Sequence, residues 1–188
     1  STIITNLEQV SYGILLWRAL LQWLGGIGII VMAVAILPML SIGGMQLFKT
    51  ESYETPDKII PRAAIFASGI SIVYIVLTSI WAFMLWLAGM PIFDSITHAM
   101  TTLATGGYST KSESLGAFNS VNIEMIIVVG MIVGSLPFIH YLSILKNGWK
   151  NLINDQQVKW FLLILFFLIS IVTFNLYING QNFFSSLR

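Results

Sequence analysis

The sequence predicts an all-α membrane protein with four membrane spans and one re-entrant hairpin. Three observations predict this fold class. First, the 188 residues are 56% hydrophobic and only 9% charged, whereas about 25% of the residues in a soluble domain are charged. Second, four long uncharged runs alternate with polar segments. Third, a shorter apolar segment, Pro91–Thr110, lies between the second and third runs and contains a Gly-Gly pair near its end.

Charge and cysteine content exclude several other classes. The net charge is +1, so no basic surface for nucleic acid is expected. The chain has no cysteine, which excludes a disulfide framework and a thiolate metal site. No cofactor is predicted.

Each uncharged run is long enough to cross a bilayer, which takes about 20 apolar helical residues. The first run, Ala19–Phe48, could cross with a tilt or a break. The second is Ala63–Met90 and the fourth is Trp160–Ile178. The third, Met125–Leu145, contains Pro137, which should interrupt its helix because proline lacks the backbone N–H.

The basic residues indicate which loops are cytoplasmic. They cluster around two polar loops, 49–62 and 148–159, and only Lys111 lies between Pro91 and Glu124. The positive-inside rule places both basic loops in the cytoplasm. The second and third spans supply the even number of crossings that this requires. The segment Pro91–Tyr108 should therefore leave the membrane on the outer side, where it entered. The clustered basic residues are Lys49, Lys58, Arg62, Lys146, Lys150 and Lys159.

The re-entrant hairpin predicts part of an ion pathway. Residues Ile92–Leu103 would form a half-helix of about 18 Å at 1.5 Å per residue, which ends near the middle of the bilayer. Asp94 in its first turn is expected to cap free N–H groups, and the carbonyl end of the helix favours a cation. Gly106 and Gly107 would permit positive φ, so that successive carbonyl oxygens face one axis. Such oxygens can replace the hydration shell of K⁺.

Other polar and small residues have simpler explanations. His98 is expected to hydrogen-bond a neighbouring group, and Arg18 to extend to water from its helix end. Gly130–Gly134 matches the GxxxG pattern and Gly25–Gly28 is similar, so both should allow close helix packing. Asp94 and His98 share a helix face, but no second carboxylate or nucleophile–base pair accompanies them at membrane depth. This disfavours an intramembrane enzyme.

Two blocks of the sequence resemble a known family. The first contains WLGGIGIIVMAVAILP at Trp23–Pro38, and the second contains FDSI at Phe93–Ile96 and ATGGYST at Ala104–Thr110. Both are similar to the TrkH potassium-uptake subunits of bacteria, in the Trk/Ktr/HKT superfamily. The resemblance implies a potassium-channel-like transporter, with four helix–pore-loop–helix repeats in one chain around a single pore.

The resemblance also implies the site residues. Gly106 matches the filter glycine of the second repeat. Family members usually have Phe at the position of Tyr108, and a Gly-x-Asn-aromatic pattern where this chain has Gly134–Phe138. The family's gate would lie beyond Arg188. The implied K⁺ ligands, all through backbone carbonyls, are Ala104, Thr105, Gly106 and Gly107, and the implied filter supports are Tyr108 and Asp94.

The same resemblance divides the chain into parts of three repeats. A recurring pattern, Gly89–Ser95 and Gly180–Ser186, agrees with such repeats. The chain is expected to be a fragment that holds the second filter only. The expected parts are the end of the first repeat at 1–48, a cytoplasmic loop at 49–62, the complete second repeat at 63–147 with pore helix 92–103 and filter 104–108, a cytoplasmic loop at 148–159, and the start of the third repeat at 160–188.

The predicted function is K⁺ uptake across the bacterial inner (plasma) membrane, with this chain supplying one of four selectivity-filter strands. The implied partners are K⁺, the missing repeats of the same transporter, the lipid bilayer, a second copy in a homodimer and a cytosolic TrkA-type nucleotide-binding regulatory subunit. The alternative is a non-conducting multi-pass membrane fragment from a split or degenerate transporter gene, because one strand cannot surround an ion.

Overall fold

A computed structural model of the chain describes residues 6–36, 59–148 and 150–179. All regular structure within these ranges is helical. The chain divides into two compact units, Ser1–Ile139 and His140–Arg188. Short 3₁₀ turns lie at Leu7–Gln9 and Ser114–Phe118. The α-helices are α1 (Tyr12–Ile36), α2 (Ile59–Leu87), α3 (Ile92–Leu103), α4 (Val121–Ser135), α5 (Phe138–Asn147), α6 (Lys150–Asn154) and α7 (Gln156–Ile178).

The first two predicted spans are helical, with shifted starting points. Helix α1 begins at Tyr12, before the predicted start at Ala19, and continues unbroken through its glycines. Glycine inside a helix costs only about 1 kcal/mol, which packing can offset. The rest of the first run lies outside the described residues, as do Pro38 and the repeat at Gly180–Ser186. Helix α2 includes Pro61 in its first turn, where proline is tolerated, so the predicted loop 49–62 extends too far.

The predicted break at Pro137 is confirmed. Helix α4 ends at Ser135 and α5 begins at Phe138, so the third predicted run consists of two helices. The predicted loop 148–159 is wrong in part, because it contains α6 and the first turn of α7. The early start of α7 has a local cause. Asp155 caps this helix by accepting hydrogen bonds from the backbone N–H groups of Gln157 and Val158, at 2.8 and 3.2 Å.

Three of the described helices are long and apolar enough to cross a membrane, at Tyr12–Ile29, Ala67–Leu87 and Gln156–Ile178. Helix α4 is apolar but shorter. These long helices expose apolar side chains: Ile29 on α1 and Phe166 on α7 are both 74% exposed. Such surfaces suit a lipid environment, where exposed apolar side chains cost nothing.

The short helix α3 forms the centre of the first unit. It packs against α1, α2 and α4, and nine of its 12 residues are buried. Several of these buried residues are polar, and they must find partners within the protein because burial removes them from water. The helix thus brings threonine, serine, histidine and aspartate side chains into the interior.

Hydrogen bonds between helices fix α2 against its neighbours. Trp23 on α1 donates its indole N–H to Thr78 Oγ1 at 3.0 Å, and Tyr74 donates its hydroxyl to the Trp23 carbonyl at 3.2 Å. Trp81 donates its indole N–H to the Ile126 carbonyl on α4 at 2.9 Å. Because α3 also contacts α2, these bonds hold the frame in which α3 sits.

The GxxxG prediction is confirmed for Gly130–Gly134. A Cβ at Gly130 would overlap the Trp81 side chain, and one at Gly134 would lie 2.9 Å from the Leu103 carbonyl oxygen. These glycines therefore let α4 approach both α2 and the end of α3. In the Gly25–Gly28 stretch the close packing falls on Gly26, where an added Cβ would lie 3.1 Å from the Tyr74 hydroxyl of α2 and 3.2 Å from Ala104; Gly25 and Gly28 have no atom of the described residues within 4 Å of an added Cβ.

Candidate functional site

The chain turns sharply after α3. The turn is closed by three backbone hydrogen bonds, from Ala104 to Met100, from Thr105 to Thr102 and from Gly106 to Thr101, at 3.1, 3.0 and 2.8 Å. These bonds end the helix by satisfying carbonyls of its last turn. The following residues, through Ser109, have no regular secondary structure. The stretch predicted to be the filter, residues 104–108 and here called the filter segment, therefore consists of a turn followed by residues without regular secondary structure.

Positive φ occurs at Thr105 and Gly107, with φ of 52° and 73°. The prediction is thus correct for Gly107 and wrong for Gly106. The absence of a side chain at Gly106 has a different explanation. A Cβ there would overlap the side-chain amide of Gln22 on α1. A left-handed conformation is uncommon for a β-branched residue such as Thr105, so the closing bonds of the turn must hold it.

Three side chains of α3 form hydrogen bonds to the return segment, Tyr108–Thr110. Thr101 donates its hydroxyl to the Tyr108 carbonyl at 2.9 Å. His98 Nε2 lies 3.0 Å from Ser109 Oγ, and Thr110 donates its hydroxyl to Asp94 Oδ1 at 2.7 Å. Residues three and four positions apart share one face of a helix. Consecutive residues of the return segment can therefore pair with successive turns of α3.

The capping prediction for Asp94 is wrong. Pro91 occupies the cap position, and no side chain donates or accepts a capping bond there. The carboxylate of Asp94 instead accepts the Thr110 hydroxyl, and Asp94 is buried. Asp94 is the third residue of α3, and its side chain faces the return segment that passes along this helix.

His98 bonds to its neighbours, as predicted. Its Nδ1 lies 2.8 Å from the Asp94 carbonyl oxygen. Because a carbonyl can only accept, Nδ1 carries the proton and Nε2 of the neutral ring accepts from Ser109. The histidine is 3% exposed and joins two parts of the hairpin.

The prediction that Arg18 extends to water holds only in part, because the residue is partly exposed but its guanidinium also contacts the protein. Its guanidinium carbon lies 4.7 Å from the centre of the Tyr108 ring. Its Nη1 is buried without a hydrogen-bond partner among the described residues. The face of an aromatic ring attracts a cation, which accounts for the inward orientation.

The filter segment borders a cavity of about 330 Å³. Its lining includes Thr105–Tyr108, His98 of α3, and Ile127, Met131 and Ser135 of α4. Of the predicted K⁺ ligands, Thr105, Gly106 and Gly107 line this cavity and are exposed, whereas Ala104 does not line it. Among the described residues, no three His, Cys, Asp or Glu side chains gather as a metal site. The polar side chains that line the cavity include the hydroxyls of Thr101, Thr102 and Ser109 and the imidazole of His98.

Within the described residues, these features define an all-helical integral membrane protein in which a short helix with polar side chains packs among longer apolar helices. The chain belongs to the TrkH family of cation transport proteins, whose family model matches residues 1–185. The predicted resemblance is confirmed. Family membership groups the chain with transporters and not with enzymes, and together with the apolar helices it places the chain in the bacterial inner membrane.

Individual relatives match almost the whole chain. It is 42% identical over 190 aligned positions to the potassium uptake protein TrkI of Halomonas elongata, covering 100% of this chain and 38% of the relative. It is 39% identical to TrkH of Vibrio parahaemolyticus, covering 90% and 36%. The crystal structure of the potassium transporter TrkH from Vibrio parahaemolyticus matches with a TM-score of 0.83 and 34% identity, over 100% of this chain and 38% of that one. The chain thus spans less than two-fifths of these relatives.

The sequence pattern predicted neither the Thr101 bond nor a second side-chain contact to the filter segment, from Gln22. Gln22 donates its side-chain Nε2–H to the Gly106 carbonyl at 3.0 Å. A signal was present, because Gln22 is an uncharged polar residue inside an apolar run and needs a partner there. Its partner lies 84 positions away, which the sequence pattern does not reveal.

Proposed function

We propose that this chain supplies one of four strands of a K⁺ selectivity filter in a bacterial potassium-uptake protein. The observation that carries the proposal is the exposed stretch Thr105–Gly107, which lines a cavity directly after the carbonyl end of a short buried helix. The helix dipole and the carbonyl oxygens both place partial negative charge there. That arrangement favours a cation that has lost part of its water.

The proposed topology is a re-entrant hairpin. Helix α3 has 12 residues, and a helix of that length covers about 18 Å of a hydrocarbon core of about 30 Å. We therefore propose that α3 enters from the outside and that residues 104–108 lie near mid-membrane. Helices α4 and α5 then form the third of four spans, with Pro137 between them.

The bonds between α3 and the return segment support selectivity. A filter distinguishes cations by the size of its oxygen ring and by the strength of the oxygens' field, and both depend on how firmly the backbone is held. The bonds from Thr101, His98 and Asp94 hold the return segment at three successive residues. Tyr108, under the Arg18 guanidinium, adds a fourth attachment.

The complete ring requires other repeats. We propose that residues 1–48 end a first repeat, 63–147 form the second and 160–188 begin the third. The polar segments 49–62 and 148–159, which include the start of α2 and the helix α6, would lie on the cytoplasmic side. We further propose that the assembled transporter is a homodimer that binds a cytosolic TrkA-type regulatory subunit. The membrane potential would drive uptake, at about 2.3 kcal/mol per charge per 100 mV.

The second candidate is a non-conducting membrane fragment. Thr105, Gly106 and Gly107 are exposed in the chain by itself. This favours the non-conducting fragment, because a single strand can coordinate a cation from one side only. The two candidates differ in whether the chain can complete a filter once the other repeats are supplied.

A chimera tests the proposal. The segment of Vibrio parahaemolyticus TrkH that aligns with this chain is replaced by this chain, and the product is expressed in bacteria that lack their own K⁺ uptake. We expect growth at low K⁺ and Rb⁺ uptake into the cells. Gly106→Asp should abolish uptake, because it places a carboxylate against the Gln22 amide and the filter backbone.

Gly116→Asp is the matched control. Gly116 lies in the 3₁₀ turn after the return segment, with no atom within 4 Å of an added Cβ, so its replacement should leave uptake unchanged. A chimera that reaches the membrane at normal levels without taking up Rb⁺ would support the non-conducting fragment. Equal uptake by Gly106→Asp and its parent would contradict the filter assignment.

A further inference from the structure

Gln22 contacts the filter segment from a different repeat of the proposed architecture. It lies on α1, and its Nε2 is 3.0 Å from the carbonyl oxygen of Gly106. The carbonyl can only accept a hydrogen bond, so the amide nitrogen must be the atom that faces it. The amide oxygen lies beside Gly106 as well, but it makes no bond to that carbonyl. It is buried and has no hydrogen-bond partner among the described residues.

Arg18 extends this contact by one helical turn. Arg18 and Gln22 are four positions apart and so share a face of α1. The Arg18 guanidinium lies over Tyr108 while the Gln22 amide bonds Gly106, so this face contacts both ends of the Gly106–Tyr108 stretch. A hydrogen-bond donor and a fixed positive charge thus lie beside the filter backbone. The amide N–H presents partial positive charge to the Gly106 carbonyl oxygen, and the guanidinium adds a full charge over the neighbouring Tyr108 ring.

We propose that Gln22 determines the preference of the filter for K⁺ over Na⁺ by holding and polarising the Gly106 carbonyl. This inference rests on the proposed function. A carbonyl oxygen has two lone pairs, so Gly106 can accept from Gln22 and still face an ion. The amide weakens the field that the oxygen presents to that ion. In a flexible filter, a weaker field favours the larger cation, which is easier to dehydrate.

The glycine at position 106 follows from the same contact. Its φ is not in the left-handed region, so its backbone would accept another residue. An added Cβ would overlap the Gln22 amide, which is the far end of a flexible side chain and can swing away. Gly106→Ala should therefore remove the same hydrogen bond that Gln22→Leu removes, from the opposite side.

The test measures uptake of Na⁺ and Rb⁺ by the chimera from equimolar mixtures. We expect Gln22→Leu to raise the ratio of Na⁺ to Rb⁺ uptake by about fivefold, which corresponds to the loss of one neutral hydrogen bond. Gly106→Ala should shift the ratio in the same direction. The double variant should shift it no further than the larger single change, because both remove one interaction. Leu21→Ala changes the neighbouring, 52% exposed side chain of α1 and should leave the ratio unchanged.

Each outcome decides the inference. An unchanged ratio in Gln22→Leu overturns it while leaving the filter proposal intact, as long as the parent chimera takes up Rb⁺. Loss of all uptake by a normally accumulated Gln22→Leu protein also overturns it, because Gln22 would then serve conduction and not discrimination. If Gln22→Leu does not accumulate, the ratio for Gly106→Ala decides in its place. An inactive parent chimera contradicts the proposed function itself.

Discussion

The hydrogen bond between Thr110 and Asp94 offers a direct test of how the return segment is held. Thr110 donates its hydroxyl to Asp94 Oδ1 at 2.7 Å, and the two residues are only 6% and 7% exposed. Valine has nearly the shape of threonine but no donor. Thr110→Val should therefore leave the carboxylate buried without its hydroxyl partner, at little cost in packing.

Thr110→Val should lose more stability than a substitution that removes a hydroxyl bonded to a neutral group. A hydrogen bond to a charged group contributes about 1.5–3 kcal/mol, and the unpaired carboxylate adds a desolvation cost. Thr97→Val is the matched control, since Thr97 is 2% exposed and bonds only to carbonyls of its own helix, at Phe93 and Asp94. Those carbonyls can keep their backbone partners, so the control should lose no more than about 1 kcal/mol.

The assay is the thermal midpoint of the detergent-solubilised chimera, read as the fraction that remains monodisperse after heating. Domains of 150–250 residues shift by roughly 2–4 °C per kcal/mol. We expect the midpoint of Thr110→Val to lie a few degrees below that of Thr97→Val, with lower Rb⁺ uptake. Equal midpoints for the two variants would refute the view that this bond anchors the return segment.

Three further predictions concern the backbone and the helix frame. Gly107→Ala should reduce Rb⁺ uptake, whereas Gly116→Ala should not. Of these two glycines only Gly107 has positive φ, where a side chain costs about 1–2 kcal/mol. Equal uptake by the two variants would contradict this prediction. Gly134→Ala should lower the amount of folded protein measured by fluorescence-detected chromatography, because the added Cβ would overlap backbone atoms of α3 that cannot move aside. Gly25→Ala should leave that amount unchanged, because no atom of the described residues lies within 4 Å of its added Cβ. Trp81→Phe should lower the thermal midpoint, since it loses a bond to α4 worth about 1 kcal/mol; an unchanged midpoint would show that the bond is dispensable.

Local signals predicted the hairpin helix accurately. The predicted range, Ile92–Leu103, is the range observed. Gly89, with φ of 96°, follows the end of α2, and Pro91 is the N-cap residue of α3, so the start of α3 is determined by adjacent residues. The break at Pro137 is local for the same reason. The family blocks at Trp23–Pro38 and Ala104–Thr110 also predicted the family correctly.

Contacts between distant residues could not be predicted in the same way. The sequence shows that Asp94 lies in the first turn of a helix, but its bond to Thr110 depends on the path of the chain after the turn. The inward orientation of Arg18 depends on the position of Tyr108. Positive φ falls on Thr105 and not on Gly106, because the closing bonds of the turn determine the conformation there. Such features follow from packing and not from residue type.

The most direct test of the central claim is the accessibility of position 105 from the two sides of the membrane. The chain has no cysteine, so a cysteine-free chimera can carry Thr105→Cys alone, with Glu113→Cys and Lys159→Cys as outer and inner references. A membrane-impermeant thiol reagent is applied to intact cells and to inverted vesicles. We expect Thr105→Cys to react from the outside, with Rb⁺ slowing the reaction. Reaction only from the cytoplasmic side would contradict a filter at the end of a re-entrant helix.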